Sequence, residues 1–197
     1  MLNEKLKNKE LILASGSPRR QHLLMEIGVD FTVELKDDIL ETYPSNLKNE
    51  QIAIYLAEIK ADAYTDIIGE NTILITADTI VLLNDNVINK PADYNDAVIM
   101  LQKLSGVMHT VITGVCIRSK NKTKTFFAET NVFFKQLSDE EITFYIDNYR
   151  PYDKAGAYGI QEWIGYIAIE RIEGSFYNVM GLPVQKLYNE LLTFIED

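Results

Sequence analysis

Apolar positions recur along the chain in two rhythms, and their alternation divides it into strands and helices. Residues 11–15, "LILAS", form an unbroken apolar run ending in small residues, which predicts a buried strand. Ser17 suits a helix N-cap, Pro18 the first helical position and Gly28 the stop, so a helix is predicted over 18–27. A second strand is predicted over 30–35, and "KDDILETYPSN" reads as a loop. Residues 50–66 place Ile52, Leu56, Ile59 and Ala63 on one helical stripe. "TILITADTIVLLN" reads as a long strand that turns at Asn84-Asp85-Asn86 into a short partner, "VIN".

Asp93 caps a predicted helix running to Leu104, with Gly106 beyond its end. Strands are predicted near 109–118 and 124–134, joined by the polar turn "KNKT". "SDEEITFYIDNY" opens on a capping box, Ser138 with Glu141, and Pro151 follows that helix. A strand is predicted near 165–172, before Gly174-Ser175. A last helix starts at Pro183, with Val184, Leu187, Leu191 and Ile195 on its inner face. Strands and helices mix throughout, which predicts an α/β fold with a mixed sheet and flanking helices.

Composition narrows the function classes. With 197 residues and 47% hydrophobic content, the chain can bury a sizeable core as one domain or as two closely joined lobes. No apolar run reaches the roughly 18 residues of a membrane span. The polar start "MLNEKLKNKE" lacks a signal-peptide core, so a cytosolic location is expected. One cysteine, Cys116, excludes an internal disulfide framework, and two histidines, His22 and His109, exclude a His-rich metal site. A formal charge of −10 argues against sequence-independent nucleic-acid binding. A small polyanion remains a possible ligand, but only where the local charge reverses.

Arg19 and Arg20 provide one such reversal. They open a helix after a strand and a Ser/Gly turn, where the backbone is already positive and an acidic residue is preferred. Backbone N–H groups at such a place bind anions, and guanidinium forks match phosphate oxygens. Two solvated arginines beside an ordinary N-cap are the alternative. Asp78 is the second anomaly, a carboxylate within the apolar strand "ILITADTIVLL". So placed it must be paired, neutralised or bound to a metal, unless a bulge returns it to solvent. Lys90 in "INKPAD" and Lys60 beside its helical stripe are surface lysines when taken singly, and Glu41 is an unremarkable loop carboxylate. In "YDKAGAYGIQEWIG", Asp153 and Lys154 precede small residues that allow close backbone approach, and Gln161 offers a donor and an acceptor together. A tight turn between elements explains that segment equally well, and "GSFYNVMGLP" carries the same ambiguity.

In combination, "LASGSPRR", "LAEIKA", "TADTIV", "NKP", "LSGVMHTVITG", "DKAGAYGIQ" and "GSFYNVMGLP" resemble, in order and spacing, the Maf-like nucleoside triphosphate pyrophosphatases. The resemblance runs from about Leu11 to Leu191. It implies a single domain over 1–197, an elongated two-lobed α/β architecture like that of the inosine triphosphatases, with a central cleft. It also implies metal-assisted hydrolysis of a nucleoside triphosphate to the monophosphate and pyrophosphate, with Mg²⁺ or Mn²⁺ as cofactor, in a cytoplasmic and often dimeric protein. The proton acceptor then maps to Asp78, and specificity positions to Arg19, Thr79 and Gln161. Phosphate-facing basic positions map to Arg19, Lys60, Lys90 and Lys154, with Ser15 and Ser17 in the substrate-binding turn and Glu41 as an acidic, metal-side position.

"DKAGAYGIQ" resembles the branch acting on dTTP and UTP, and Asn89 stands where many members have Gly before Lys-Pro. Methylated GTP or another non-canonical triphosphate is the nearest alternative substrate. A nucleotide-binding regulator of cell division with little catalysis is an alternative of a different class. "SPRR" as a DNA or phosphorylation motif is disfavoured by its place inside a fold and by the net charge.

Overall fold

A computed structural model of the chain describes residues 2–37 and 39–196; Met1, Asp38 and Asp197, the second of which falls in the predicted loop, lie outside the described residues. Strands β1 (Glu10–Leu13), β2 (Thr32–Val33), β3 (Thr72–Leu83), β4 (Asn86–Ile88), β5 (Met108–Arg118), β6 (Thr123–Phe134) and β7 (Ile169–Glu173) are interspersed with helices. The helices are α1 (Leu2–Lys5), α2 (Pro18–Glu26), α3 (Glu50–Asp62), α4 (Tyr94–Leu104), α5 (Asp139–Tyr149), α6 (Trp163–Ala168), α7 (Phe176–Met180) and α8 (Val184–Glu196). The strand order is β2-β1-β3-β5-β6-β7, with β4 attached to β3. β1 runs parallel to both β2 and β3, whereas β4 is antiparallel to β3 and β7 to β6, so the sheet is mixed as predicted.

The chain divides into two compact units. One comprises Met1–Asp78, Thr113–Ala128 and Gly181–Asp197; the other comprises Thr79–Ile112 and Glu129–Met180. In the first unit, Ile12, Leu74 and Cys116 from the strands, with Ala14 just beyond β1, pack with Ala57, Ala61 and Tyr64 from the α3 region. The small alanines bring the helix close to the strands, and Thr76 Oγ1 donates to the Ala57 carbonyl at 2.6 Å. Gly114 in β5 completes that approach: a β-carbon there would lie 2.3 Å from the Ala53 carbonyl group.

In the second unit the core combines Ala97, Leu101 and Leu104 of α4 with Ile142, Tyr145 and Ile146 of α5. These spacings of three, four and seven residues are the helical period written in the sequence. The capping box on α5 is present in both directions, Ser138 to Glu141 and back. The β3–β4 turn places Asn84 and Asp85 at φ of 49° and 61°, the conformation a tight hairpin requires.

Several sequence expectations are corrected: the helix expected over 50–66 ends at Asp62, the strand expected over 30–35 is only Thr32–Val33, and Phe194 rather than Ile195 is buried on the last helix. The strand expected near 165–172 begins only at Ile169, because residues 163–168 form helix α6. Ile164 and Ala168, four residues apart, are buried on one helical face, and the Gly165 N–H bonds back to the Glu162 carbonyl at 2.8 Å. Ser17 does occupy the N-cap position of α2, but its side chain makes no capping hydrogen bond.

His109 is a core histidine, 1% exposed, with Nε2 2.7 Å from the Tyr158 hydroxyl and Phe134 edge-on to its ring. Burial lowers its pKa from 6.5 to about 4. Between those values the unfolded chain binds the proton and the folded chain does not, so stability rises with pH across this window. The contribution is fully present above the ordinary value and is lost as pH falls through the folded one, amounting to about 3 kcal/mol. Urea-unfolding free energies followed across this window check the slope. A native-state His109 ring signal titrating at its ordinary value would contradict it.

Candidate functional site

The first group of candidate residues surrounds Asp78. Successive strand side chains alternate between faces, so Leu74, Thr76 and Asp78 all point toward α3. On that helix Lys60 lies one turn beyond Ala57, where its long side chain reaches the strand. Its ammonium sits 2.5 Å from Asp78 Oδ1 and 3.0 Å from Glu41 Oε1. The costly carboxylate anticipated from the sequence is therefore real: Asp78 is 7% exposed, and an ion pair accompanies its burial. Glu41, which had no distinguishing local pattern, reaches the same cation from the loop after β2.

The helix-start turn lies in the same unit. Ser15 is buried and organises it: its hydroxyl accepts the Ser17 N–H at 3.3 Å, and its carbonyl accepts Gln21 Nε2 at 3.0 Å. Arg20, to which the resemblance assigns no position, has a defined structural role. Its Nε donates to the Gly181 carbonyl at 2.8 Å and Nη1 reaches Ser15 Oγ at 3.5 Å. It thereby ties "GLP" to the turn that presents Arg19. Burial lowers the Arg20 pKa, the negative charge of Asp78 opposes this, Arg19 adds to it and Glu41 again opposes it. Even so lowered, a guanidinium stays charged.

Asp78 and Glu41 meet at one cation. A hard divalent ion is commonly held by one or two carboxylates, with substrate phosphates and water completing its shell. The pair fits that requirement. Among the described residues there is no cluster of three or more His, Cys, Asp or Glu that would hold a metal by protein ligands alone.

The second group lies in the other unit. Lys154 is 8% exposed, and its ammonium is held between Asp153 Oδ1 at 2.7 Å and Glu162 Oε1 at 3.1 Å. A buried lysine needs such partners, and neither was identified from the sequence. The loop that carries it is fixed by close packing: Gly156, at φ 72°, would bring a β-carbon within 3.3 Å of Val81. The Gly156 N–H bonds to the Asn89 carbonyl at 3.1 Å, so "DKAGAYGIQ" is joined to the segment bearing the exposed Lys90. Left-handed φ values outside glycine occur among the described residues at Asn49, Asn84, Asp85, Arg150 and Ala157; Asn89 has ordinary backbone and its position needs no glycine.

Gln161 Oε1 is buried without a hydrogen-bond partner, an acceptor suited to a ligand donor. Thr79 follows Asp78 on β3 and points to the strand's opposite face. "GSFYNVMGLP" is held by the buried Asn178, whose amide donates to the Val111 carbonyl and to Thr130 Oγ1, each at 3.0 Å. Gly174 is required there, since a β-carbon would lie 2.6 Å from Thr130 Oγ1.

The first unit thus carries a carboxylate pair on a lysine and an arginine-lined helix start, and the second a small-residue loop with lysine and glutamine. The chain belongs to the Maf-like protein family, whose model matches residues 10–194. A relative from Parabacteroides distasonis, named dTTP/UTP pyrophosphatase, is 54% identical over 97% of this chain and 99% of its own length. Relatives of the same name from Porphyromonas gingivalis and Flavobacterium psychrophilum are each 51% identical, covering 98% of this chain and 98% of their own lengths. No helix among the described residues is long and apolar enough to cross a membrane.

Proposed function

We propose that this protein is a nucleoside triphosphate pyrophosphatase that hydrolyses dTTP and UTP to the nucleoside monophosphate and pyrophosphate in the cytoplasm. The observation that carries this reading is the buried Asp78 carboxylate, held by Lys60 with Glu41 on the same ammonium, in a unit that also contains the arginine-bearing start of α2. The names of the family relatives support it.

Asp78 accepts a proton from the water that attacks the α-phosphorus. The new P–O bond forms as the bond from that phosphorus to the bridging oxygen breaks, and pyrophosphate leaves with the electron pair. Arg19 and the backbone N–H groups at the α2 start receive phosphate oxygens, since both are donors suited to anions. Lys60, Lys90 and Lys154 stabilise the charge that develops on the leaving group. These local cations overcome the repulsion that a chain of charge −10 exerts on a triphosphate. Ser15 and Ser17 shape the receiving turn, while Thr79 and Gln161 select the base. Asp78 and Glu41 would hold Mg²⁺ or Mn²⁺, which when bound neutralises triphosphate charge and acidifies the attacking water.

Pyrophosphate release from dTTP, UTP, CTP and methylated GTP, with Mg²⁺, with Mn²⁺ and with a chelator, tests this reading. Turnover of dTTP and UTP at least about tenfold faster than the others is expected, with loss of activity on chelation. Equal rates on purines and pyrimidines would defeat the substrate assignment. Tight triphosphate binding without turnover at any metal concentration would defeat the enzyme assignment.

A further inference from the structure

We propose that Glu162, clamped by Tyr145, fixes the orientation of the Gln161 amide and thereby makes the site prefer a base that donates at N3, uracil or thymine, over cytosine, which accepts there. This rests on the pyrophosphatase reading and on the base-reading role given to Gln161. A glutamine amide alone cannot make that choice. Rotated by half a turn it exchanges donor for acceptor, and so matches the cytosine edge as well as the uracil edge. Discrimination requires something that holds one orientation.

The residues around Gly159 supply it. The glycine has no side chain, and the place its β-carbon would occupy lies 2.9 Å from Glu162 Oε2 and 3.0 Å from Gln161 Nε2. Carboxylate oxygen and amide nitrogen thus both face the one point above the Gly159 backbone. A negative carboxylate attracts the NH₂ end of the amide and repels the carbonyl end. The oxygen is left as the presented group, and Gln161 Oε1 is the buried acceptor without a protein partner.

The carboxylate is itself immobilised. The Tyr145 hydroxyl donates to its Oε2 and so fixes the oxygen that faces the amide, while the other oxygen, Oε1, pairs with Lys154 Nζ at 3.1 Å. The same Tyr145 oxygen accepts the Gly159 N–H at 3.0 Å, so one buried phenol sets both the backbone beneath the amide and the charge beside it. Burial, the hydrogen bond to Glu162 and that residue's charge all push the Tyr145 pKa upward, with the Gly159 N–H a smaller opposing influence, so the hydroxyl remains a donor.

The test is the ratio of kcat/KM for UTP to that for CTP in Glu162→Gln, Tyr145→Phe and Lys154→Met, with a urea melt on each. Glu162→Gln keeps the shape and an acceptor for Tyr145 but removes the charge; its ratio is expected to fall about tenfold. Tyr145→Phe is expected to lower the ratio by a smaller factor in the same direction. Lys154→Met should slow both substrates equally and keep the ratio, which separates base selection from phosphate binding. Folded Glu162→Gln and Tyr145→Phe variants with the wild-type ratio would overturn the proposal while leaving the pyrophosphatase reading intact. A ratio that collapses equally in Lys154→Met would also overturn it, because Glu162 would then act through the lysine. A wild-type chain that releases no pyrophosphate from UTP would overturn the parent reading and this one together.

Discussion

Asp78→Asn is expected to slow pyrophosphate release from UTP and dTTP by about 10³-fold, within the range for removal of a positioned general base, while leaving the chain folded. The carboxamide has the shape of the carboxylate, so β3 and α3 keep their packing. What disappears is the basic oxygen proposed to take the proton from water, together with one of the two carboxylates proposed to hold a divalent cation. Lys60 is not stranded by the change, because Glu41 Oε1 remains 3.0 Å from its ammonium. That retained partner limits the stability loss that usually follows the breaking of a buried ion pair. Steady-state rates at saturating nucleotide, paired with circular dichroism and a thermal melt, decide the matter. A folded Asp78→Asn chain with the wild-type rate would remove Asp78 from the chemistry.

Asp78 was legible in the sequence because a charge inside a β-branched apolar run breaks a local rule, and broken local rules gather at functional sites. Its partner was half legible. Helical periodicity placed Lys60 beside the buried stripe, but no sequence pattern states which strand the stripe will cover. Glu41 carries no local signal at all, since its role depends on a loop returning to α3. The structural role of Arg20 was hidden for the same reason: its hydrogen bond to the Gly181 carbonyl spans 161 residues. Tyr145 carries no signal of its own in "SDEEITFYIDNY": it is buried in the α4–α5 core, and only the position of its hydroxyl, against Gly159 and Glu162, gives it a second role. The error at 165–168 has a local cause. "WIGYIA" is rich in residues that favour strands, and six residues are too few for the helical period to declare itself.

Gly114→Ala is expected to destabilise the first unit by about 4 kcal/mol, beyond the usual cost of overpacking a core. The reason lies in what the new methyl group meets. Overpacked side chains commonly yield by changing rotamer, but here the added carbon would lie 2.3 Å from the carbon and oxygen of the Ala53 carbonyl and 2.5 Å from Ile54 N. Backbone within a helix cannot turn aside, so α3 and β5 must separate. Separation strips contacts from Ala57, Ala61, Leu74 and Cys116, the small, closely fitted cluster beneath the helix. It also reaches the site. Lys60 is two turns along α3 from Ala53, and a shift of the helix lengthens the 2.5 Å bond from Lys60 to Asp78. A variant that still folds should therefore lose catalytic rate as well as stability, since displacement of a catalytic group by about 1 Å can cost as much as 10²-fold. Urea unfolding of Gly114→Ala beside the wild type measures the first effect, and the turnover of UTP measures the second. Wild-type stability in this variant would mean that α3 does not pack against β5 at the distance described, and the placement of Lys60 against Asp78 would fall with it.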